Sequence, residues 1–298
     1  MFEFKGILSA FAVLSISINS FADTAELKLV SCHVSKDAYV TDLVTAYRKK
    51  TGVHIEVRDG NSTSAIRDVH IGIADIGGTS RDLVSGETHQ NDVELLPVAW
   101  DALAIIVHKD NPVDNISLEQ AKAIYTGKIR YWTELGGTDQ KIEVYAHKNK
   151  ISGNGRTLRE LLFSNTDKTL YTSRVFDYGE QLEQALTNNP NAIAITGVSS
   201  ARMQDVKIVA LDGVKPTIEN IKTGNYRLYR PLFLSYDPHS ANIESIQDFI
   251  RFVLSQYGRD VMYSNGIVPY REATSLLVKN THEKDTGFPQ IVGGLSSK

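Results

Sequence analysis

Leu27-Lys28-Leu29-Val30, running into Ser31-Cys32-His33-Val34-Ser35, is the stretch on which the reading of the fold turns. The alternating apolar positions predict a strand, and the small polar run behind it predicts the entry to a helix. That helix is expected over 39–51, with Leu43, Val44 and Tyr47 on one face and Gly52 at its C-cap. The unit then repeats in kind. Val53-His54-Ile55-Glu56-Val57 alternates like a strand and leads through Gly60-Asn61-Ser62-Thr63-Ser64 into a short helix over 65–69. The apolar run 71–76 predicts a short buried strand ending at Gly77-Gly78-Thr79-Ser80. Such alternation makes an α/β unit with a largely parallel sheet, and ligands of such sheets bind beyond the carboxyl ends of the strands. All three polar junctions fall there.

A fourth junction, Ser152-Gly153-Asn154-Gly155, follows a predicted strand at 142–146 and precedes a helix at 158–163. Each junction is expected just before a helix, offering hydroxyls and unpaired backbone N–H groups at the positive end of a helix dipole. One alone is an ordinary N-cap. Several aimed at one point would hold a small oxyanion. Between these units, 95–107 predicts a long strand crossing between lobes, and Ser117 caps a helix at 118–125 that ends near Gly127. A helix at 179–186, a buried strand at 192–196, a return strand at 232–235 and an amphipathic helix at 243–254 complete the pattern.

With 298 residues, 42% hydrophobic and 22% charged, the chain suits a globular protein of two lobes. A net charge of −3 argues against a broad nucleic-acid surface. Lys5, the apolar run 6–18 and Ser20-Phe21-Ala22 predict a signal peptide over 1–22, and so an exported protein, periplasmic or secreted. Cys32 is the single cysteine, which excludes an internal disulfide. Leu29-Val30-Ser31-Cys32 is too far from the apolar segment to be a lipid-attachment box, with Asp23, Glu26 and Lys28 between them. No nucleophile elbow or metal-spaced His cluster points to a hydrolase, so no catalytic residue, metal or cofactor is expected. The polar segment 281–298 is expected to be a frayed tail.

Four segments resemble the periplasmic phosphate-binding proteins of ABC-type phosphate importers. They are Ala74-Asp75-Ile76-Gly77-Gly78-Thr79-Ser80-Arg81, Ile124-Tyr125-Thr126-Gly127-Lys128-Ile129 with Trp132, Asp212-Gly213-Val214-Lys215-Pro216-Thr217-Ile218-Glu219-Asn220-Ile221, and Gly266-Ile267-Val268-Pro269. The resemblance implies a two-lobed periplasmic-binding-protein fold, each lobe a mostly parallel sheet flanked by helices, joined by two crossing strands. Lobe 1 would comprise 23–104 and 232–280, and lobe 2 residues 105–231. It also implies a monomer that captures inorganic phosphate between the lobes and delivers it to a membrane permease. Another oxyanion, or a sensing or adhesion role without transport, is the alternative.

Carried over residue by residue, the resemblance implies a phosphate-binding set. In the first loop Val34 stands where the family has a Thr hydroxyl, and Ser35 keeps the backbone N–H. Ser62, with Thr63 beside it, matches the second loop. Thr79, Ser80 and Arg81 form the third, where Ser80 occupies a position that is a carboxylate in some members. Asp75 is expected to organise this turn rather than touch ligand. In the fourth loop Ser152 and Gly153 are kept, Asn154 replaces a Thr, Lys148 replaces an Arg, and Arg156 lies one residue from a familiar Arg position. Arg81 pairs either with the ligand or with a neighbouring acid. His33 is either an anion donor when protonated or a solvated loop side chain.

Overall fold

The structure is a computed structural model that describes residues 27–84, 86–148 and 150–277. The expected signal peptide and the expected tail lie outside the described residues. Chain order gives β1 (Leu27–Cys32), β2 (Ile55–Gly60), β3 (Ile76–Thr79) and a 15-residue β4 (Glu94–His108). Then come β5 (Asn115–Ile116), β6 (Glu143–His147), β7 (Arg174–Phe176), β8 (Ala192–Gly197), β9 (Val206–Leu211), β10 (Tyr229–Tyr236) and β11 (Val268–Pro269).

The sheet path runs β2-β1-β3-β10-β4-β8-β6-β7. In the first lobe β1 lies parallel to both β2 and β3, and β10 closes the sheet antiparallel between β3 and β4. In the second, β6 lies parallel to β7 and β8, while β8 and β9 run antiparallel to β4.

β4 belongs to both lobes. Its first part, from Glu94 to Ala102, pairs with β10, and its second, from Leu103 to Val107, pairs with β8. Residues 98–107 are all buried, which explains why they read as one continuous apolar run rather than an alternating strand. Val98 and Ala99 belong to the core of the first lobe, and the stretch from Ala102 to Val107 to that of the second. The chain returns nearby: Leu103 N–H donates to Leu228 O at 2.7 Å, and the Tyr226 hydroxyl donates to Leu103 O at 2.7 Å. Tyr226 and Leu228 pack in the second core, Leu232 and Leu234 in the first. Two crossings therefore join the lobes.

Local chemistry explains the elements that frame the site. One helical run leaves β1, made of His33–Ser35, a wide π turn at Lys36–Val40, and Thr41–Thr51, and it ends where Gly52 adopts φ +80°. Asn61 caps the Ser62–His70 helix, and Ser117 caps Leu118–Tyr125 by accepting from Gln120 N–H at 3.1 Å. Ile243–Leu254 buries Ile246, Phe249, Phe252 and Val253. Phe249 meets Tyr47 edge-on at 5.2 Å. Asp75 stands just before β3 and accepts from Lys28 N–H at 2.7 Å and from the Asn242 amide at 2.8 Å, so its carboxylate ties the start of β3 to β1 and to the 242 loop.

Two expectations are corrected. The buried strand expected at 71–76 begins only at Ile76, and Ile71 and Ile73 are 50% and 46% exposed. The preceding helix runs on to His70, and its carbonyls capture the next residues: Ile73 and Ala74 N–H both donate to Asp68 O. The junction at Gly77-Gly78-Thr79-Ser80 precedes no helix, because the chain continues from β3 into an irregular loop. Among the described residues, no helix is long and apolar enough to cross a membrane.

Ile105 is fully buried on β4, in the strand shared by both lobes. Ile105→Ala is expected to destabilise the protein by about 2–5 kcal/mol through lost burial and a residual cavity. Urea denaturation measures this, and a change within about 0.5 kcal/mol of zero would contradict the placement.

Candidate functional site

The strand ends and helix starts meet at one small cavity of about 50 Å³ between the lobes. By this measure a water molecule needs about 10–15 Å³, so the space admits a few atoms on the order of water in size. It opens beside a larger vestibule of about 530 Å³ that shares His33, Gly60, Asn61 and Tyr178. The first lobe contributes Cys32, His33 and Val34 from the end of β1, Gly60, Asn61 and Ser62 from the end of β2, and Ser80 beyond β3. The second contributes His147 at the end of β6, Ser152, Gly153 and Asn154, and the run Asp177-Tyr178-Gly179 beyond β7.

Four helix N-termini reach the cavity. Three were legible as junctions: those opening at His33, Ser62 and Gly153. The fourth is the Gly179–Thr187 helix, in place of the expected helix after Ser80. Asn61 accepts from Ser64 N–H, and Ser152 Oγ accepts from Gly155 N–H at 3.1 Å, so these two ends are partly satisfied from within. Cys32 and Tyr178, the N-cap residues of the other two, make no side-chain cap. Their first-turn N–H groups keep their donor capacity for a ligand.

The lobes touch at Gly153. A Cβ built there would lie 2.1 Å from Ser80 Oγ and 2.7 Å from Ser62 Oγ, so only glycine lets this helix start approach the two hydroxyls. Ser80 N–H donates to Ser62 Oγ at 3.1 Å, the two hydroxyls lie 3.3 Å apart, and the Cys32 thiol reaches Ser80 Oγ at 3.6 Å.

Of the eleven residues that the resemblance nominates, Ser62, Ser80, Ser152, Gly153 and Asn154 line the cavity, and the others stand behind or outside its wall. Ser35 is buried and accepts from the Cys32 thiol at 3.3 Å. The Thr79 hydroxyl is turned to the backbone of Arg81. Among the described residues, the Arg81 guanidinium donates to Thr63 Oγ1 at 3.2 Å and to Asp82 O at 2.7 Å. Burial and the nearby charge of Arg156 push Arg81 down to about 10. Lys148 is exposed and lies 3.7 Å from Asp177. Arg156 is half-buried and lies outside the wall. Asn154 is held from two strands: its carbonyl accepts from Arg230 of β10 at 2.6 Å, and its amide donates to Thr196 of β8 at 3.3 Å. Arg230 in turn pairs with buried Asp101 at 3.2 Å.

Sequence reasoning missed His147, Asp177, Tyr178 and Gly179. The signal available was positional, since all follow the carboxyl ends of strands, but β7 is three residues long and carries little pattern. Burial holds His147 down to about 4, with Glu183 opposing and Arg230, Arg159 and His33 reinforcing the effect. Among the described residues no cluster of His, Cys, Asp and Glu is arranged to hold a metal ion.

A family model described as a PBP superfamily domain matches residues 19–256. The phosphate-binding protein PstS of Bacillus subtilis is 30% identical over 178 residues, spanning 59% of this chain and 58% of that protein, so less than two thirds of its length. The phosphate-binding protein PstS of Borreliella burgdorferi is 27% identical over 200 residues, spanning 64% of this chain and 70% of that protein. Among solved structures, a putative phosphate ABC transporter substrate-binding protein with bound phosphate from Clostridium perfringens superposes with a TM-score of 0.73 at 31% identity, covering 81% of this chain and 98% of that one. An ABC-type phosphate transport receptor from Vibrio cholerae superposes with a TM-score of 0.62 at 27% identity, covering 82% and 99%.

Two outcomes are expected from this geometry. Gly153→Ala should fold, since alanine favours helix, but should lose the rise in melting temperature that a bound anion gives the native protein. An unchanged rise would show that the close approach of the lobes is dispensable. Because the folded pKa of His147 lies below 6.5, the unfolded chain takes up this proton first as pH falls. The stability concerned is present above about pH 6.5 and is lost toward about pH 4, on the order of 3 kcal/mol. Denaturation of His147→Gln across this range should show a shallower acid loss than the native protein.

Proposed function

The chain belongs to the PBP superfamily, in the line of the phosphate-binding proteins of ABC-type importers, and from that premise we propose that it captures inorganic phosphate between its lobes and delivers it to a membrane permease. The protein acts as a monomer after export to the periplasm or beyond the cell, with lobe 1 over 27–104 and 232–277 of the described residues and lobe 2 over 105–231. It is a binding protein and not an enzyme.

The observation that carries this reading is the cavity itself. Its wall joins the hydroxyls of Ser62, Ser80 and Ser152 to four helix N-termini, and its volume suits a small ion. A dehydrated oxyanion needs many short donors rather than much net charge. Hydroxyls both donate and accept, so they can also meet an oxygen that carries a proton. Ser62, Ser80, Ser152, Gly153 and Asn154 form the inner binding set in this reading. Ser35, Thr63, Thr79, Arg81, Lys148 and Arg156 support it from behind the wall or outside it.

Calorimetric titration of the mature protein should give about one phosphate per chain. Ser62→Ala should weaken binding about 10- to 100-fold, the worth of one hydrogen bond to a charged group. Sulfate matching phosphate in the same titration would overturn the choice of ligand, and no response to either would overturn the reading.

A further inference from the structure

The cavity proposed for phosphate has an electrostatic peculiarity. Among the described residues its lining holds no Lys and no Arg; His33 and His147 are the side chains there that can carry positive charge, and Asp177 is its one carboxylate. Lys148 is exposed and engaged with Asp177, while Arg81 and Arg230 bond to other groups behind the wall. Hydroxyls and N–H dipoles solvate a divalent anion, and a formal counter-charge in contact with it adds a charge–charge attraction that neutral donors lack. The two imidazoles are therefore the source to consider.

Their surroundings differ. His147 is fully enclosed, and burial keeps it neutral. His33, a quarter exposed, opens the helix that leaves β1, and its Nε2 lies 3.3 Å from Asp37 Oδ2 and 3.6 Å from Glu183 Oε2. Glu183 sits on the Gly179–Thr187 helix of the opposite lobe and is completely buried. Its Oε1 accepts from the Thr196 hydroxyl at 2.5 Å and the Ser200 hydroxyl at 2.7 Å. Its Oε2 has no hydrogen-bond partner, and neither has Nε2 of His147. A buried carboxylate with one oxygen satisfied and the other facing an imidazole across the lobes is costly unless it has a cation to face.

We propose that protonated His33 is the positive charge that holds the anion in this cavity, and that Glu183, reaching it from the other lobe, is the positioning residue that keeps it charged and in place. This rests on the phosphate reading above and extends it by naming the counter-ion. Burial alone would lower the His33 pKa, but contact with Glu183, with Asp37 and more distantly with Glu180, outweighs burial and raises it above 6.5. The charged and titratable groups packed around His33 come from four elements. Asp37 and Lys36 come from its own helix, Lys36 being tied to Asp59 at the end of β2. Glu180 and Glu183 come from the facing helix, His147 from β6, and the adjoining Val198–Ala201 helix carries no charge. Since the cation exists only below the folded pKa of His33, its contribution to affinity is present at acid pH and fades as pH rises through that value.

The test is calorimetric titration with inorganic phosphate from about pH 5.5 to 8.5, bracketing the ordinary histidine pKa, on the native protein, His33→Gln and Glu183→Gln. NMR titration of the His33 ring is run on the native protein and on Glu183→Gln. The ionisation of phosphate is common to all three proteins, so differences between them isolate His33. His33→Gln should bind about 10-fold or more weakly at the acid end and converge on the native protein at the alkaline end. Glu183→Gln should move the ring's midpoint, and the steep part of the affinity profile, to lower pH. In the native protein the ring's midpoint should lie above 6.5 and rise further when phosphate is bound. His33→Gln with native affinity at every pH overturns the proposal while leaving the phosphate reading intact, and so does a ring midpoint unmoved by phosphate. A native protein that binds no phosphate at any pH overturns the reading, and the proposal with it. Should Glu183→Gln fail to fold, the native ring titration and His33→Gln still decide the matter.

Discussion

The absence of a side chain at Gly153 is the constraint on which the closed site depends. Two lobes with separate cores and joined by two crossings approach most closely here, where backbone replaces side chain. At Gly153 the helix start comes within one Cβ of the Ser62 and Ser80 hydroxyls. The N-termini at His33 and Ser62 come from one side, and those at Gly153 and Gly179 from the other. Asn154, the next residue, is locked by Arg230 and Thr196, so the contact is braced from both sheets.

The polar chemistry around the cavity divides into two kinds. Around Ser62 and Ser80, neutral hydroxyls, a thiol and backbone N–H groups sit close together and satisfy one another in part. Around His33, Glu183 and His147, ionisable groups sit close together with their buried nitrogens and one carboxylate oxygen unmet. Hydroxyl chemistry responds little to pH, whereas the histidine–carboxylate cluster responds strongly. The two kinds meet at one cavity, which His33 and His147 line together with Ser62 and Ser80.

How far the sequence disclosed this varies by element. Gly52 as a C-cap, Ser117 as an N-cap and the helix Ile243–Leu254 were legible because each rests on a local signal: a positive φ, a hydroxyl before a helix, a 3.6-residue apolar period. The run 71–76 misled because apolar content was read without its context. Asp68 O takes the N–H groups of Ile73 and Ala74, and tertiary packing leaves Ile71 and Ile73 at the surface. The short β7 carried too little pattern to mark Asp177-Tyr178-Gly179 as a junction.

The sequence by itself determined which segments become strands and helices and where their polar ends lie, because capping, glycine conformation and apolar period act over a few residues. It also carried the motifs that place the chain in its family. Only the tertiary structure decided which side chains share one cavity. Arg81, nominated by its motif, is drawn behind the wall by Thr63 and the carbonyl of Asp82. Glu183, with no motif at all, is brought to His33 from 150 positions along the chain. Charge and hydrogen bonding act through space over a few ångströms, and chain separation says nothing about which groups will stand that close.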